Sequence, residues 1–296
     1  MAGIDINRTT SGVVLPTAVS SEIWSKTIEE SFVLANAPRI DLPGGGTEIQ
    51  VITGDPEPQW TNETDEKPVG AHTLSSKAMR GYTLALIEPF SNQFRRDKAA
   101  LYSALIERLP RLLGQKYDRT VFGQYAAPGS DFDTLADAPS VDVSEGYAGY
   151  LAALKSVADN GGDVTKWAIS PSGEISLLGQ LDTAGRPIFT PSVQEGSIGS
   201  ILGRPVEKTL AAADASATPS KVGIAGDWNR TRSGIVEAIS VSFSDQASLT
   251  MSDGTTLNLW QRNMFAARVE FEVGFIAEDV NQFAHLTDGA SDAEGE

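Results

Sequence analysis

Phe265-Ala266-Ala267-Arg268-Val269-Glu270-Phe271-Glu272-Val273-Gly274-Phe275 lies within a longer organising stretch, residues 257 to 286. Phe265, Ala267, Val269, Phe271, Val273 and Phe275 fall at every second position, with Arg268, Glu270 and Glu272 between them. A period of two puts the apolar set on one face of a strand and the charges on the other. A helix would scatter both sets around its axis. Burying the large side chains of this face is worth on the order of 10 kcal/mol before conformational entropy is subtracted. Gly274 allows a bulge or a close neighbouring backbone. The stretch predicts a long strand at the floor of a sheet, and that strand needs partners from elsewhere in the chain.

Composition narrows the function classes. The 296 residues carry a formal net charge of -16 and no cysteine. So acidic a chain argues against a dedicated nucleic-acid binder, whose surface must displace counterions from phosphate. Without cysteine there are no disulfides and no thiolate zinc sites. The start, Met1-Ala2-Gly3-Ile4-Asp5, has no basic flank and no apolar core, so it does not read as a signal peptide. No apolar run approaches membrane-spanning length. A soluble, acidic protein made inside the cell is the expectation, with no membrane partner.

Upstream of the long strand, residues 1 to 15 read as an extended arm. Pro16 to Glu30 reads as a helix, with Val19, Ile23, Trp24 and Ile28 on one side. Phe32 to Leu42 reads as strand, stopped by Pro43-Gly44-Gly45-Gly46. Thr47 to Thr53 and Leu74 to Ile87 then form the arms of a long hairpin, with Tyr82, Leu84 and Leu86 alternating in the second. The acidic, proline-punctuated segment between them carries Trp60 near the tip. A two-stranded hairpin is marginal alone in water. It either folds back on its own core with Trp60 packed there, or projects and buries its apolar face on another subunit.

From Phe94 to Phe122 the period becomes helical, with Leu101, Leu105, Leu109, Leu112, Leu113 and Tyr117 in one stripe. Pro110 deletes a hydrogen bond and predicts a kink or a broken turn. The helix is locally basic, with Arg95, Arg96, Lys98, Arg108, Arg111, Lys116 and Arg119 against Asp97, Glu107 and Asp118. Such a run is either a solvated or ion-paired face, which is the preferred reading, or a face turned to polyanion.

After a loop-rich stretch, helices are expected over 143–160 and from Pro171 to Gln180, with a short buried strand at Trp167-Ala168-Ile169-Ser170 between them. Further strands follow near 201–206, 222–228 and 235–243. Strands alternating with helices indicate an α/β or α+β unit. The tail from Asp288 to Glu296 is acidic and reads as mobile.

No catalytic constellation emerges. The only histidines are His72 and His285. Gly44-Gly45-Gly46 lacks the Lys-Ser/Thr of a phosphate-binding loop, and Gly196-Ser197-Ile198-Gly199-Ser200 lacks the spacing of a nucleophile elbow. Asp131 and Asp133 are not followed by a calcium loop. No catalytic, cofactor-binding or metal residue is therefore assigned, and no cofactor is expected. A hydrolase resting on His72 or His285 is the outside alternative.

The order of these parts resembles the tailed-phage major capsid proteins, of the Hong Kong phage capsid fold shared with encapsulins. Trp60-Thr61-Asn62-Glu63 is similar to a Trp-x-x-Glu phrase in the family's extended loop. Leu84 to Phe94 and the stripe through Tyr117 resemble the passage into the spine helix. Leu202-Gly203-Arg204-Pro205-Val206 resembles an axial-domain phrase. Gln261-Arg262-Asn263 to Phe275, with Phe283-Ala284-His285-Leu286-Thr287, resembles the closing peripheral-domain strand.

The resemblance implies an α+β chain: arm and short helix at 1–46, extended-loop hairpin at 47–88, peripheral domain with spine helix at 89–125 and 236–288, mixed α/β axial domain at 126–235, and acidic tail at 289–296. It implies hexamers and pentamers closing an icosahedral shell around double-stranded DNA, assembled in the host cytoplasm. Trp60, Glu63 and Lys67 of the extended loop would contact a neighbouring subunit. Arg95, Arg96, Arg108, Arg111 and Arg119 would offer a basic face to the lumen and touch packaged DNA non-specifically. The chain starts at the arm, so a separate scaffolding protein or none is implied, with a portal, and either with or without a decoration protein, as further partners. Some family members crosslink a hairpin Lys to a peripheral-domain Asn with a Glu as catalyst. Lys67 or Lys77, Asn258 or Asn263, and Glu270 or Glu272 do not align to that trio, so no crosslink is expected. An encapsulin-like compartment loaded with enzyme is the alternative within the fold.

Overall fold

The computed structural model describes residues 25–28, 30–54, 58, 60–63, 66, 67, 69, 73–92, 98–180, 189, 199–251 and 253–289. The expected arm at 1–15, most of the Pro16–Glu30 helix, His72, Arg95, Arg96, most of the loop after 181 and the tail beyond 289 lie outside the described residues.

In chain order the elements are α1 (Phe32–Asn36), β1 (Arg39–Asp41), β2 (Thr47–Gly54), β3 (Thr73–Met79), β4 (Tyr82–Ser91), α2 (Lys98–Val121) and β5 (Ser140–Asp142). Then come α3 (Tyr147–Asp159), β6 (Lys166–Ile169), α4 (Pro171–Leu178), β7 (Ser200–Ile201), β8 (Arg204–Lys208) and β9 (Lys221–Gly226). The chain continues with β10 (Thr231–Ser244), β11 (Ser248–Thr250), β12 (Thr256–Asn258), β13 (Met264–Ala277) and β14 (Phe283–Thr287).

β13 is an inner strand of a four-stranded sheet ordered β1-β10-β13-β4. Its alternate residues Phe265, Ala267, Val269, Phe271, Val273 and Phe275 are all buried, and Arg268 is exposed. The pleat fixes this partition, because one face packs on α2 residues Leu109, Leu113 and Tyr117 in a shared core. Gly274 sits where a Cβ would stand 2.5 Å from the Arg80 carbonyl oxygen, so the close approach of a neighbouring backbone is real. Gly274→Ala is expected to lower stability by about 1–3 kcal/mol through that overlap. Urea unfolding measures it, and an unchanged midpoint would show that the Arg80 backbone yields freely.

The second sheet has six strands ordered β5-β14-β9-β6-β8-β7 and mixes parallel with antiparallel pairs. α3 and α4 pack Tyr150, Ala153, Val157 and Leu177 against Trp167, Ile169 and Val222. α4 starts as its sequence requires: Ser170 accepts from the Gly173 amide, and Pro171 fills the first turn, where its missing N–H is harmless.

Several expectations are corrected. The second hairpin arm is not continuous to Ile87. β3 ends at Met79, and after Arg80-Gly81 the chain enters β4, which runs antiparallel to β13. The alternation of Tyr82, Leu84 and Leu86 fits either partner, since a period of two names the buried face and not the strand beside it. Phe283 to Thr287 does not join the long strands either. A 3-10 turn at Val280–Gln282 redirects the chain, and β14 lies between β5 and β9 with all its residues buried.

Phe32 to Asn36 is helical, not strand. Its N-cap Ser31 accepts from the Leu34 amide at 3.2 Å, and Asp118 of α2 holds the first two amides. α2 runs unbroken through Pro110. Buried Leu109 and Leu113 on either side contribute about 1.5–3 kcal/mol each, enough to outweigh the roughly 3 kcal/mol a proline costs. Leu112, assigned to the stripe, is exposed instead.

Candidate functional site

The segment between β2 and β3 exposes Trp60 and Val69, and the outer side of α2 exposes Leu112. The hairpin pairs Thr47 with Met79 through to Gly54 with Thr73. Its base is moored firmly. Met79 is fully buried with Leu42 and Ile276. The Lys77 ammonium donates to an Asp133 carboxylate oxygen at 3.2 Å and to the Ala277 carbonyl at 2.7 Å. The same Asp133 oxygen accepts from the Ala277 amide at 3.1 Å. The Arg80 guanidinium pairs with Asp131 at 3.1 Å, and the Arg80 amide donates to the Asp131 carbonyl. Asp131 and Asp133, weighed above as calcium ligands, are thus the mooring posts of the hairpin.

Its far end is the opposite. Trp60 is 105% exposed and Val69 98% exposed. Glu63 and Lys67 are exposed beside them. Trp60 does not pack on its own core, so of the two readings of the hairpin the folded-back one is excluded. An indole left wholly in water forgoes about 1.5–3 kcal/mol of burial, which a partner surface recovers.

On α2 the inward face holds Leu109, Leu113 and Tyr117. Arg108, Leu112 and Lys116 follow at intervals of four along the exposed side. Arg108 reaches Glu88 of β4 at 3.5 Å. The Lys116 ammonium lies 3.1 Å above the centre of the Tyr125 ring, within cation–π range. Arg119 is half-buried, with its Nε out of solvent and without a hydrogen-bond partner among the described residues. Arg111 is exposed on the other flank of the helix. Between α2 and β4 opens a cavity of about 160 Å³, lined by Tyr82, Leu84, Tyr117, Tyr125, Pro128 and Phe132.

His285 is buried on β14, and its Nε2 lies 2.7 Å from the Leu135 carbonyl. Burial, with the nearby Lys221 charge, brings its pKa down to about 4. It is neutral and sealed at physiological pH, which suits a core hydrogen bond and not a catalytic base. Among the described residues no cluster of His, Asp and Glu is placed to hold a metal, and no helix is long and apolar enough to cross a membrane.

Residues 11–288 match the Phage capsid family. The chain belongs to the phage capsid family. Its relatives include the probable major capsid protein gp17 of Mycobacterium phage L5, 27% identical over 273 residues that span 87% of this chain and 84% of the relative. The corresponding protein of Mycobacterium phage D29 is 26% identical across 92% of this chain and 89% of its own length. Among solved structures, a chain from Gordonia phage Cozz superposes with a TM-score of 0.71 at 18% identity, covering 88% of this chain and 87% of that one. A chain from Mycobacterium phage Adephagia gives 0.71 at 20% identity, covering 88% and 91%. At such identities the structures show the fold, which is the Hong Kong phage capsid fold expected above.

As a member of the phage capsid family the chain is a structural component of the virion capsid. Its relatives are capsid proteins and not enzymes, so the hydrolase alternative is not favoured. Among the crosslink candidates, Lys77 is engaged at the hairpin base. Asn263 accepts from the Asn92 side chain at 2.8 Å, and Glu270 pairs with Arg268 at 3.3 Å.

Sequence reasoning missed two features. One is the carboxylate of Asp118, fully buried and bonded to Ser31, Phe32 and Val33. A signal for it existed: a Ser directly before Phe32-Val33-Leu34 is a helix N-cap pattern. The other is the α2–β4 cavity, whose walls come from segments far apart in sequence.

Proposed function

We propose that this capsid-family chain is the major shell protein of a tailed phage, assembling as hexamers and pentamers into an icosahedral shell around double-stranded DNA. The observation that carries the reading is the hairpin: moored by ion pairs at Lys77 and Arg80, and ending in a fully exposed Trp60. A rigid base with an apolar tip is what an intersubunit clasp needs, because burial on a neighbour repays what a lone hairpin lacks. Trp60, Glu63 and Lys67 are its contact residues. We assign the four-stranded sheet and α2 to the peripheral domain. The six-stranded sheet, with β14 included, is assigned to the axial domain. Arg108, Arg111 and Arg119 remain candidates for a lumenal face, and a scaffolding protein, portal and decoration protein are the expected partners. Assembly takes place in the host cytoplasm.

Light scattering with negative-stain microscopy on the purified chain, at several concentrations, tests the proposal. Closed shells or capsomer rings are expected. A compact monomer at every concentration, also with a scaffolding protein added, rejects it. Nucleic acid inside the particles separates a virion shell from an enzyme-loaded compartment.

Trp60→Ala is expected to leave the unfolding midpoint within about 0.5 kcal/mol, because the side chain is fully exposed. Particle yield should fall severalfold. Wild-type yield from this variant would remove the hairpin tip from the assembly contacts.

A further inference from the structure

We infer that α1 is a latch across the joint between the two sheets, seated on Gly114 and Asp118 of α2 and opened by loss of the Asp118 proton. The part that opens runs from Ser31 to Ala37, and β1 stays in place behind it. The latch belongs to a single subunit and does not depend on the shell reading.

The seat is built on one face of α2. Gly114 and Asp118 stand four residues apart, so they line up along that face. A glycine weakens a helix interior, but here its bare backbone admits a neighbour. A Cβ at Gly114 would stand 3.2 Å from the Ser31 Cβ and 3.3 Å from the Ser31 amide nitrogen. One turn on, Asp118 receives the Ser31 hydroxyl and the Phe32 and Val33 amides. Thr27, Ser31 and Asp118 are all sealed from solvent.

The other end of α1 is tied to the six-stranded sheet. The Asn36 side chain donates to Glu207 of β8 at 3.1 Å, and the Lys166 ammonium of β6 donates to the Asn36 side-chain oxygen. Phe32 meets the Trp228 ring edge to face at 4.8 Å. Five residues thus join α2 to the second sheet. The fulcrum follows directly. The Ser233 amide donates to the Pro38 carbonyl at 2.9 Å, and β1 pairs with β10. An opening of α1 can stop there without disturbing the first sheet.

Charge makes the seat sensitive to protons. The Asp118 partners on α1 are neutral donors, so they bring no counter-charge to an ionised carboxylate. Beside it on α2, Tyr117 is a phenol whose pKa burial raises, so it stays neutral, and Lys116 is turned to the Tyr125 ring. Glu207 pairs with Lys166 at 2.9 Å. Lys26 and Glu30, on the chain leading into α1, are exposed. Burial holds the Asp118 acid up at about 7 against the pull of its donors, and the Glu207 charge adds to the rise. Once α1 lifts, the carboxyl is hydrated and titrates near ~4. The closed latch therefore binds the proton more tightly than the open one. Opening is least below about pH 4, rises about tenfold per pH unit from there to about 7, and then levels off.

Hydrogen–deuterium exchange with mass spectrometry on the full chain, corrected for the intrinsic rate at each pH, tests this. Peptides covering 32–36 should exchange faster than those covering 265–275 at every pH, and their rate should climb about tenfold per unit between pH 5 and 7. In Asp118→Asn the 32–36 rate should be flat over the same range. Gly114→Ala should raise it severalfold at every pH and leave its slope unchanged, since it crowds the seat and keeps the acid. Glu207→Gln covers the case in which Asp118→Asn does not fold: removing that charge should move the levelling-off to lower pH. A flat wild-type rate at 32–36, a common rate for 32–36 and 265–275, or a levelling-off unmoved by Glu207→Gln overturns the latch.

Discussion

Trp228→Ala is expected to cost the subunit about 3–5 kcal/mol, a large fraction of a typical domain's stability. Trp228 is buried at the joint between the two sheets. Its ring meets Phe32 of α1 at 4.8 Å between centroids, Phe283 of β14 at 5.1 Å, and Phe122, just past α2, at 6.1 Å, all edge to face. Its indole N–H donates to the Lys166 carbonyl at 3.2 Å, and its amide donates to the Thr165 hydroxyl. Alanine removes the rings' common partner and strands the Lys166 carbonyl, so transfer, cavity and hydrogen-bond losses all act in one direction. Urea unfolding followed by circular dichroism gives the value. Trp228→Phe keeps most of the packing and loses only the donor, so it should cost about 1–2 kcal/mol. A loss below about 1 kcal/mol for alanine would mean that the two sheets do not depend on this ring.

Asp118→Ala is the second large effect, about 3–5 kcal/mol. The carboxylate accepts from the Ser31 hydroxyl at 2.6 Å and from the amides of Phe32 at 2.8 Å and Val33 at 3.1 Å. Alanine orphans all of these buried donors, at about 1–3 kcal/mol each before relaxation. Asp118→Asn keeps the shape, but one amide hydrogen must face a backbone N–H, so it should cost about half as much.

The pH dependence follows from the same site. Burial pushes the Asp118 pKa up to about 7, against the pull of its three donors, and the nearby Glu207 charge adds to the rise. The folded state thus holds the proton more tightly than the unfolded chain, whose carboxyl titrates near ~4. Stability contributed by the neutral acid is complete below about pH 4 and is lost as pH rises through about 7. His285, lowered to about 4 in the folded chain, contributes a pH dependence of its own over part of this range, but the same one in wild type and in Asp118→Asn. Wild-type stability should therefore fall between about pH 4 and 7 relative to that of Asp118→Asn. Parallel slopes for the two proteins would show that Asp118 stays ionised throughout.

The long strand was legible because its evidence is local. Pleating alone assigns Phe265 through Phe275 to one face, and that face is buried. α2 was legible for the same reason, from its stripe, and the helix expected over 143–160 stops where Gly161 takes a positive φ just past α3. Missing catalytic spacings, with the order of arm, hairpin, helix and strand, pointed to a shell protein. The exposure of Trp60 was half-legible: an aromatic in an acidic, proline-rich tip invites two readings, and only the folded chain shows it exposed.

What the sequence by itself determined is which residues turn inward and where the chain stops and turns. Which element each inward face meets was decided only by the tertiary structure. β4 reads as a hairpin arm and pairs instead with β13, and β14 reads as the end of the long strands and pairs instead with β9 and β5. α1 reads as strand until a carboxylate 87 residues away, on Asp118, bonds to its cap. Periodicity is set by each residue's nearest neighbours in the chain. Strand pairing, capping across elements and the walls of a groove depend on contacts between distant segments, whose energies no local pattern encodes.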